Sequence, residues 1–238
     1  MTMFSTFSGV FPMSDVCLFS DFITSFAPFN VATDGTLGTT FVDNTNDSSM
    51  LGKATISTPN STSAGVHAYA GIYMAPAQAS SGAALTRNFR LGKGEVDIYG
   101  SSVVGPNVGS AALQCSFGVS TGNYSTALIP ATDFAGFFVN GTKTYWCYGV
   151  VINSVLTSFD TTLVKTAQNN FQVIISKNAS QTTFIANGKI LGAINAQLRT
   201  SAAVLPAFEV KDCTLGGTAG GPNTATIDQL TVRMRIER

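Results

Sequence analysis

The clearest alternation of apolar and polar positions lies in residues 171–195. In its first run, Phe171, Val173 and Ile175 alternate with other side chains, so a strand there turns one apolar side inward. Turn formers and a second β-branched and aromatic run follow. Asn187-Gly188 then fits the two positive-φ positions of a type I′ turn, and the chain returns as a third short strand. The pattern predicts an antiparallel three-stranded meander, with strands at 171–176, 182–185 and 189–194.

From residue 34 onward, short apolar runs alternate with polar or glycine-rich breaks. Asn140-Gly141 is a second hairpin signal, placed between two aromatic-rich runs. No amphipathic helix longer than about three turns stands out. Further strands are predicted at 53–57, 66–73, 83–91, 95–99, 111–119, 134–139, 144–152, 203–210 and 225–236, with glycine-rich loops at 100–109 and 216–222. The sequence therefore predicts an all-β, two-sheet antiparallel sandwich over residues 34–238.

Residues 1–33 are predicted to form a separate Phe-rich segment. Seven of the 17 phenylalanines lie in the first 30 residues, separated by Ser, Thr and Gly. Because this segment would expose an apolar patch in water, it has to pack on something. Two interpretations stay open: an edge strand that closes its own sandwich, or an arm that anchors on a neighbouring subunit or on a particle. For the arm, the expected contact residues are Phe4, Phe7, Phe11, Phe19 and Phe22.

Charge is scarce and unevenly placed. Charged residues are 11% of the chain, against about 25% in an average soluble domain. Either hydroxyl and amide groups solvate the surface, or other subunits cover it. The net charge is zero, so no global field draws the protein to nucleic acid or to a membrane surface. All 13 basic residues lie from Lys53 onward, so the acidic amino-terminal part could dock on a basic body, its own or a neighbour's.

The four cysteines contain no C-x-x-C pair, so neither a zinc site nor a redox dithiol is predicted, and reduced thiols are expected. The first 30 residues lack a basic n-region and are interrupted by Asp15 and Asp21. We therefore expect neither a signal peptide nor a membrane span, and synthesis in a host cytoplasm.

The order of several motifs resembles the concanavalin A-like lectin/glucanase jelly roll, in the form found in bacteriophage tail fibres, head fibres and capsid decoration proteins. The resemblance covers roughly residues 34–236. It implies a jelly-roll sandwich and a place in a virion. The motifs that carry it are Gly-Lys-Gly-Glu-Val-Asp-Ile at 92–98, an aromatic hairpin around Trp146, the run 171–176, Phe-Ile-Ala-Asn-Gly at 184–188 and Pro-Ala-Phe-Glu-Val at 206–210.

Glucanases of this fold carry a strand motif of the form Glu-x-Asp-x-Glu or Glu-x-Asp-x-x-Glu, and the matching positions here are Glu95, Asp97 and Tyr99, with Gly100 next. By this resemblance Glu95 would be the nucleophile and Asp97 its neighbour, whereas Tyr99 stands where the general acid should be. Retaining hydrolysis needs two carboxyl groups about 5 Å apart, and a phenol with a pKa near 10 is a poor proton donor. No catalytic residue is therefore predicted, and the protein is expected not to be an enzyme.

No metal or cofactor is predicted either. His67 is the only histidine, and the acidic loop from Asp43 to Asp47 lacks the glycine and the terminal glutamate of an EF-hand. The loop from Gly216 to Gly221 is not followed by Lys and Ser or Thr, so it is no phosphate cradle.

Three aromatic residues are candidates for stacking on a sugar ring: Tyr145, Trp146 and Tyr148. Alternation places Trp146 and Tyr148 on one face of their strand and Tyr145 on the other, so one of the two faces is expected to belong to the core.

The leading hypothesis is a non-enzymatic structural protein of a phage virion, which decorates the capsid or forms part of a fibre. We expect a homotrimer held by the Phe-rich segment, with the major capsid protein or other virion proteins as partners. The alternative is a lectin-like, carbohydrate-binding module of a tail fibre, which recognises a host surface glycan through the region from Tyr145 to Tyr148 or through the loop from Gly100 to Gly109.

Overall fold

The computed structural model of the chain describes residues 15–22, 30–33, 42–43, 53–57, 67–73, 91–106, 113–120, 133–140, 142–200, 205–213 and 224–236. In these ranges the chain forms sixteen strands: β1 (Asp15–Ser20), β2 (Asn30–Thr33), β3 (Val42–Asp43), β4 (Ala54–Ser57), β5 (His67–Tyr73), β6 (Gly94–Val103), β7 (Leu113–Ser120), β8 (Asp133–Asn140), β9 (Tyr145–Ile152), β10 (Val155–Val164), β11 (Asn169–Ile175), β12 (Gln181–Ala186), β13 (Lys189–Asn195), β14 (Leu205–Cys213), β15 (Thr224–Ile227) and β16 (Gln229–Ile236). No helix within them is long and apolar enough to cross a membrane. The loop predicted at 216–222 and nearly all of the strand predicted at 83–91 lie outside the described residues.

The strands form two large antiparallel sheets and one small one. The six-stranded sheet has the order β1-β16-β6-β11-β12-β13, and the seven-stranded sheet has the order β10-β9-β8-β7-β14-β5-β2. A three-stranded sheet, β15-β4-β3, is added to these. The predicted all-β antiparallel sandwich is therefore confirmed, whereas the small third sheet has no counterpart in the sequence prediction.

The core lies between the two large sheets and is built by alternation along their strands. β6 buries every second residue over most of its length, and β11 does the same. The ring of Phe171 on β11 stacks on the ring of Phe137 on β8, and Trp146 and Phe117 pack around them. Large apolar side chains from both sheets thus form one continuous core, whose burial stabilises the sandwich.

The predicted meander is confirmed in strands β11, β12 and β13, which pair in sequence order. Asn187 and Gly188 join the last two strands with φ angles of 50° and 76°, as a type I′ turn requires. The side-chain oxygen of Asn187 also accepts a hydrogen bond from the backbone N–H of Asn170, at 2.8 Å. The turn is therefore tied to the neighbouring strand as well as to its own hairpin.

The prediction of one terminal strand at 225–236 is wrong. The chain breaks at Asp228: β15 pairs with β4 in the small sheet, while β16 pairs with β6 and β1. The spacing of the buried residues explains the break, because they stand at odd positions before Asp228 (Ala225 and Ile227) and at even positions after it (Leu230 and Val232). One extra residue between two alternating runs reverses the side that faces inward.

Two further boundaries differ from the prediction. β6 continues to Val103, so the first part of the glycine-rich loop at 100–109 is strand. A glycine is needed at position 100, inside β6, because a methyl group there would collide with the ring of Phe117. β10 has no counterpart among the predicted strands.

The two strands that precede residue 34 belong to the two large sheets. β1 pairs with β16 at one edge of the six-stranded sheet, and β2 pairs with β5 at one edge of the seven-stranded sheet. These residues thus close the sandwich as edge strands, the first of the two interpretations of the Phe-rich segment. Residues 1–14 lie outside the described residues.

Candidate functional site

Glu95, Asp97 and Tyr99 share the outer face of the six-stranded sheet. Their strand, β6, turns Val96 and Ile98 into the core, where both are fully buried. The three motif residues are half-buried and point away from the core. The structure therefore brings them together on one face, as alternation predicts.

Each carboxylate of this motif has a neighbour on an adjacent strand. Asp97 accepts a hydrogen bond of 2.9 Å from Nε2 of Gln172 on β11. Glu95 lies 3.8 Å from a guanidinium nitrogen of Arg235, and the register of β16 places Arg233 opposite Asp97. The two strands therefore set opposite charges across from each other, the arrangement that favours a cross-strand pair.

The third position of the motif holds a phenol instead of a carboxylic acid. In the segments that the structure describes, β11 and β16, which flank β6, contribute no Asp or Glu. Retaining hydrolysis assigns one carboxyl group to proton donation and another to nucleophilic attack. This face matches the glucanase motif at two of its three positions and carries mixed charge around them.

The predicted contact phenylalanines that the structure describes differ in burial. Phe19 on β1 is 47% exposed on the outer side of the six-stranded sheet. Phe22, by contrast, is buried in the core of its own sandwich. The prediction that Phe22 contacts a subunit or a particle is therefore wrong for this fold, since a core side chain is not available to a partner. Phe4, Phe7 and Phe11 lie outside the described residues.

The three aromatic residues of β9 also differ in burial. Trp146 is fully buried, and its ring meets the ring of Phe171 edge-on at 5.0 Å. Tyr148 packs on Phe184 and on Phe159, so Trp146 and Tyr148 belong to the inner face. The prediction that Trp146 contacts a glycan is wrong, because its ring has no access to solvent. Tyr145 is exposed and is the one member that could stack on a sugar.

A polar cluster on the outer face of the seven-stranded sheet joins Lys143, Cys147 and Asp160. The Lys143 ammonium lies 2.5 Å from the Asp160 carboxylate and 3.3 Å from the Cys147 sulfur. The thiol of Cys147 donates to the same carboxylate oxygen at 3.0 Å. The cluster therefore ties the start of the β8–β9 hairpin to β10.

The charges of this cluster act on the pKa values of its members. The pKa of the Cys147 thiol is raised to about 11, first by burial and then by the hydrogen bond to Asp160, whereas Lys143 opposes both effects. The hydrogen bond to Asp160 holds the pKa of Lys143 above its ordinary value, and the reciprocal bond lowers the pKa of Asp160. Cys147 is therefore a protonated, unreactive thiol at neutral pH.

Beside this cluster, the same outer face carries a second apolar group. Phe134, Phe138, Cys147 and Val151 are buried there, and Leu156 of β10 packs against them. Phe134 and Phe138 meet edge-on at 6.1 Å. β8 and β9 therefore bury apolar side chains on both faces, which explains the nearly continuous burial along β8.

β10 is an edge strand of the seven-stranded sheet, and β13 is an edge strand of the six-stranded sheet. The hydroxyl of Tyr148, on β9 next to β10, donates to the carbonyl oxygen of Leu191 on β13 at 3.4 Å. These two edges therefore lie near each other at one end of the sandwich. Val155 and Phe159 of β10 are 68% and 50% exposed, and Ile190 of β13 is 65% exposed. These three exposed apolar residues, two on β10 and one on β13, are called the apolar edge below.

A buried aspartate holds the turn that leads into β10. One oxygen of Asp133 accepts the backbone N–H of Asn153 at 3.2 Å, and the other lies 3.1 Å from the guanidinium of Arg199. Arg199 also donates to the side-chain oxygen of Asn153 at 2.9 Å. Asn153 and Ser154 both have positive φ angles, of 49° and 66°. These contacts fix the orientation of the hairpin.

Among the described residues, no three His, Cys, Asp or Glu side chains stand together as metal ligands would. The side chain of His67 lies outside the described residues. The loop from Asp43 to Asp47 lies outside them as well, apart from the backbone of Asp43.

No protein-family model matches the sequence, and no curated protein matches it. Solved structures match over nearly the whole chain. A protein of unknown function from Shewanella oneidensis MR-1 is 17% identical with a TM-score of 0.59, covering 98% of this chain and 91% of its own. The endo-1,3-beta-glucanase from Streptomyces sioyaensis is 13% identical with a TM-score of 0.58, covering 97% and 100%.

The carbohydrate recognition domain of Emp47p is 10% identical with a TM-score of 0.53, covering 96% of this chain and 100% of its own. At these identities the likeness establishes the fold and nothing about activity. The chain has the concanavalin A-like lectin/glucanase jelly-roll fold, so the predicted fold class is confirmed.

Proposed function

We propose that this chain is a non-enzymatic structural protein of a phage virion, which decorates the capsid or forms part of a fibre. The observation that carries the proposal is the apolar edge in a charge-poor chain: Val155, Phe159 and Ile190 are at least half-exposed on the edge strands β10 and β13. Exposed apolar strands are a liability for a free monomer but suit a subunit of an assembly.

The amino-terminal sequence supports the same proposal. Residues 1–14 contain Phe4, Phe7 and Phe11 and no charged side chain, and they precede β1 at the outer edge of the six-stranded sheet. We infer that this segment holds the oligomer, expected to be a trimer, or fixes it to the major capsid protein or another virion protein. Phe19, exposed on β1, would extend the contact.

The absence of a catalytic role is part of the proposal. Tyr99 stands in place of the third carboxylic acid, and Asp97 is engaged by Gln172. We expect no hydrolysis of β-1,3- or β-1,3-1,4-glucans above the rate of the Glu95→Gln, Asp97→Asn double variant. Hydrolysis by the unaltered protein that the double variant lacks would contradict the non-enzymatic assignment.

A variant with Ser at Phe4, Phe7 and Phe11 tests the assembly role in the full-length chain. The variant should fold but fall to a smaller mass by light scattering, because the apolar contact is lost. A matched variant with Leu at the same positions keeps the apolar character and should retain the assembly. If the Ser variant keeps the mass of the unaltered protein, the assembly role of this segment is wrong.

A carbohydrate-binding module is the second candidate, and one observation favours it. Tyr145 is exposed on the outer side of β9, with the polar Lys143 and Asp160 on the same side of the sheet. An exposed aromatic ring with hydrogen-bonding groups beside it is the usual composition of a sugar contact. A glycan array of a host surface should then show binding that Tyr145→Ala removes, and an array without binding would eliminate this candidate.

A further inference from the structure

The backbone of β10 is as open as its side chains. β10 spans ten residues and ends the seven-stranded sheet, and among the described strands only β9 pairs with it. The strand contains no proline and no lysine, the residues that most often protect a natural edge from pairing. Its one charged side chain, Asp160, is already paired with Lys143.

The hairpin geometry identifies which backbone groups are free. Ile152 and Val155 flank the two-residue turn and therefore form a hydrogen-bonded pair. Hydrogen-bonded and non-hydrogen-bonded pairs alternate along an antiparallel ladder. Leu156, Ser158 and Asp160 consequently turn their N–H and C=O groups away from β9, toward solvent.

The regular part of the β10 edge is short, and its free backbone groups are centred on Ser158. The register with β9 runs without interruption from Val155 to Asp160 and then shifts before Val164. An added antiparallel strand uses all three free residues only when Leu156 faces Asp160 of the other strand and Ser158 faces its own copy. That register is symmetric about Ser158.

We propose that β10 is a homotypic interface, at which a second copy of this chain adds its own β10 antiparallel about a two-fold axis through Ser158. Charge favours this occupant over others. The edge carries no net charge that would select an acidic or a basic partner, and Ser158 on the axis avoids an opposition of two Asp160 carboxylates.

The same register also covers Val155 and Phe159, the part of the apolar edge that lies on β10. Phe159 faces Thr157 of the second copy, with Phe159 and Val155 of that copy as its diagonal neighbours, a spacing that aromatic side chains bridge. One symmetric contact thus hides the exposed side chains of β10 and satisfies the free backbone groups of both copies.

This contact is separate from the one proposed for residues 1–14, so it joins two chains whether or not the amino-terminal segment joins more. The decisive test uses the full-length chain with Cys17 and Cys213 replaced by Ser. Ser158→Cys in that background should give a disulfide-linked pair of chains on mild oxidation, because residues that face each other across a strand pair have the Cα separation a disulfide needs. Thr162→Cys, on the same strand but past the register shift, is the matched control and should remain largely unlinked.

A second experiment breaks the contact without cross-linking. Ser158→Pro removes an N–H that points away from β9, so the β9–β10 ladder is spared, while Phe159→Lys places a charge on the edge. Either variant should halve the mass measured by sedimentation equilibrium and keep the far-ultraviolet circular dichroism of the unaltered protein.

The outcomes separate this proposal from the proposed function. If both variants keep the full mass while the Ser variant at Phe4, Phe7 and Phe11 loses it, the β10 interface is wrong and the assembly role of the amino-terminal segment stands. A mass that is halved only by the β10 variants supports the interface by itself. Equal cross-linking of Ser158→Cys and Thr162→Cys would also overturn it, since contact would then not be centred on Ser158.

Discussion

The ring of Phe137 on β8 lies parallel to the ring of Phe171 on β11, with centroids 4.1 Å apart and planes 12° from each other. The two residues belong to different sheets, so this stack is a direct contact across the sandwich. Trp146 and Phe184 meet the pair edge-on at 5.0 Å and 5.9 Å. The centre of the fold is therefore an aromatic cluster that both sheets supply.

Truncation of this cluster should be costly. Phe171→Ala removes a fully buried ring that touches three other rings, and we expect the free energy of unfolding to fall by about 3–5 kcal/mol in urea titrations. Tyr145→Ala, which removes an exposed ring from the neighbouring sheet, is the control and should change stability by less than about 1 kcal/mol. Equal losses for the two variants would contradict the packing described.

The single tryptophan offers a spectroscopic check. Trp146 is fully buried, and its indole N–H has no hydrogen-bond partner among the residues that the structure describes. Its emission should be blue-shifted in the native protein, resist quenching by iodide and shift to the red on unfolding. Efficient iodide quenching of the folded protein would show that the ring is exposed, as a glycan contact would require.

Close backbone approach should make one pair of glycines irreplaceable. Gly118 and Gly136 face each other across β7 and β8, and a methyl group at Gly118 would collide with the carbonyl oxygen of Ala135. Gly118→Ala should therefore destabilise the protein more than Gly188→Ala. The turn position of Gly188 has a φ of 76° but free space around it, so its cost is the backbone strain of about 1–2 kcal/mol. Thermal unfolding of the two variants checks the order.

Substitutions of Asp160 and of Lys143 should move the pKa of the Cys147 thiol in opposite directions. The Cys147 pKa of about 11 keeps the thiol protonated at neutral pH, so alkylation should become appreciable only as the pH rises toward that value. Asp160→Asn removes the acceptor that favours the protonated thiol, so the pKa should fall and alkylation begin at lower pH. Lys143→Met removes the cation that favours the thiolate, so the pKa should rise.

Mass spectrometry of alkylated peptides measures each thiol separately. The exposed Cys17 is the internal reference and should react first in every variant, whereas the buried Cys115 should stay unmodified until the protein is unfolded. If Asp160→Asn and Lys143→Met move the alkylation of Cys147 in the same direction, the contacts assigned to this cluster are wrong.

The parts of the fold that the sequence predicted are those with strict alternation or a specific turn dipeptide. The meander follows from the alternation of Phe171, Val173 and Ile175 and from Asn187-Gly188, and each is a local signal. β10 has no such signal. Val155-Leu156 and Leu163-Val164 break the period of two, and the strand between them faces solvent, so no burial pattern marks it.

The candidate sites depend even more on tertiary contacts. Alternation correctly places Trp146 and Tyr148 on one face of β9, but whether that face is core or surface depends on the second sheet. The contact of Lys143 and Cys147 with Asp160 could not be anticipated without β10. Phe22 reads as one member of a repeated Phe pattern, and only its burial against the core separates it from Phe19.

The proposal tested most directly is that the chain is a structural component of a phage particle. The measurement is quantitative mass spectrometry of phage particles purified from infected cells that produce the chain, before and after washing in high salt. We expect multiple copies of the chain per particle, in fixed ratio to the major capsid protein and retained through the wash because the contacts are apolar. If the chain is found in the infected-cell lysate but not in purified particles, the claim is contradicted.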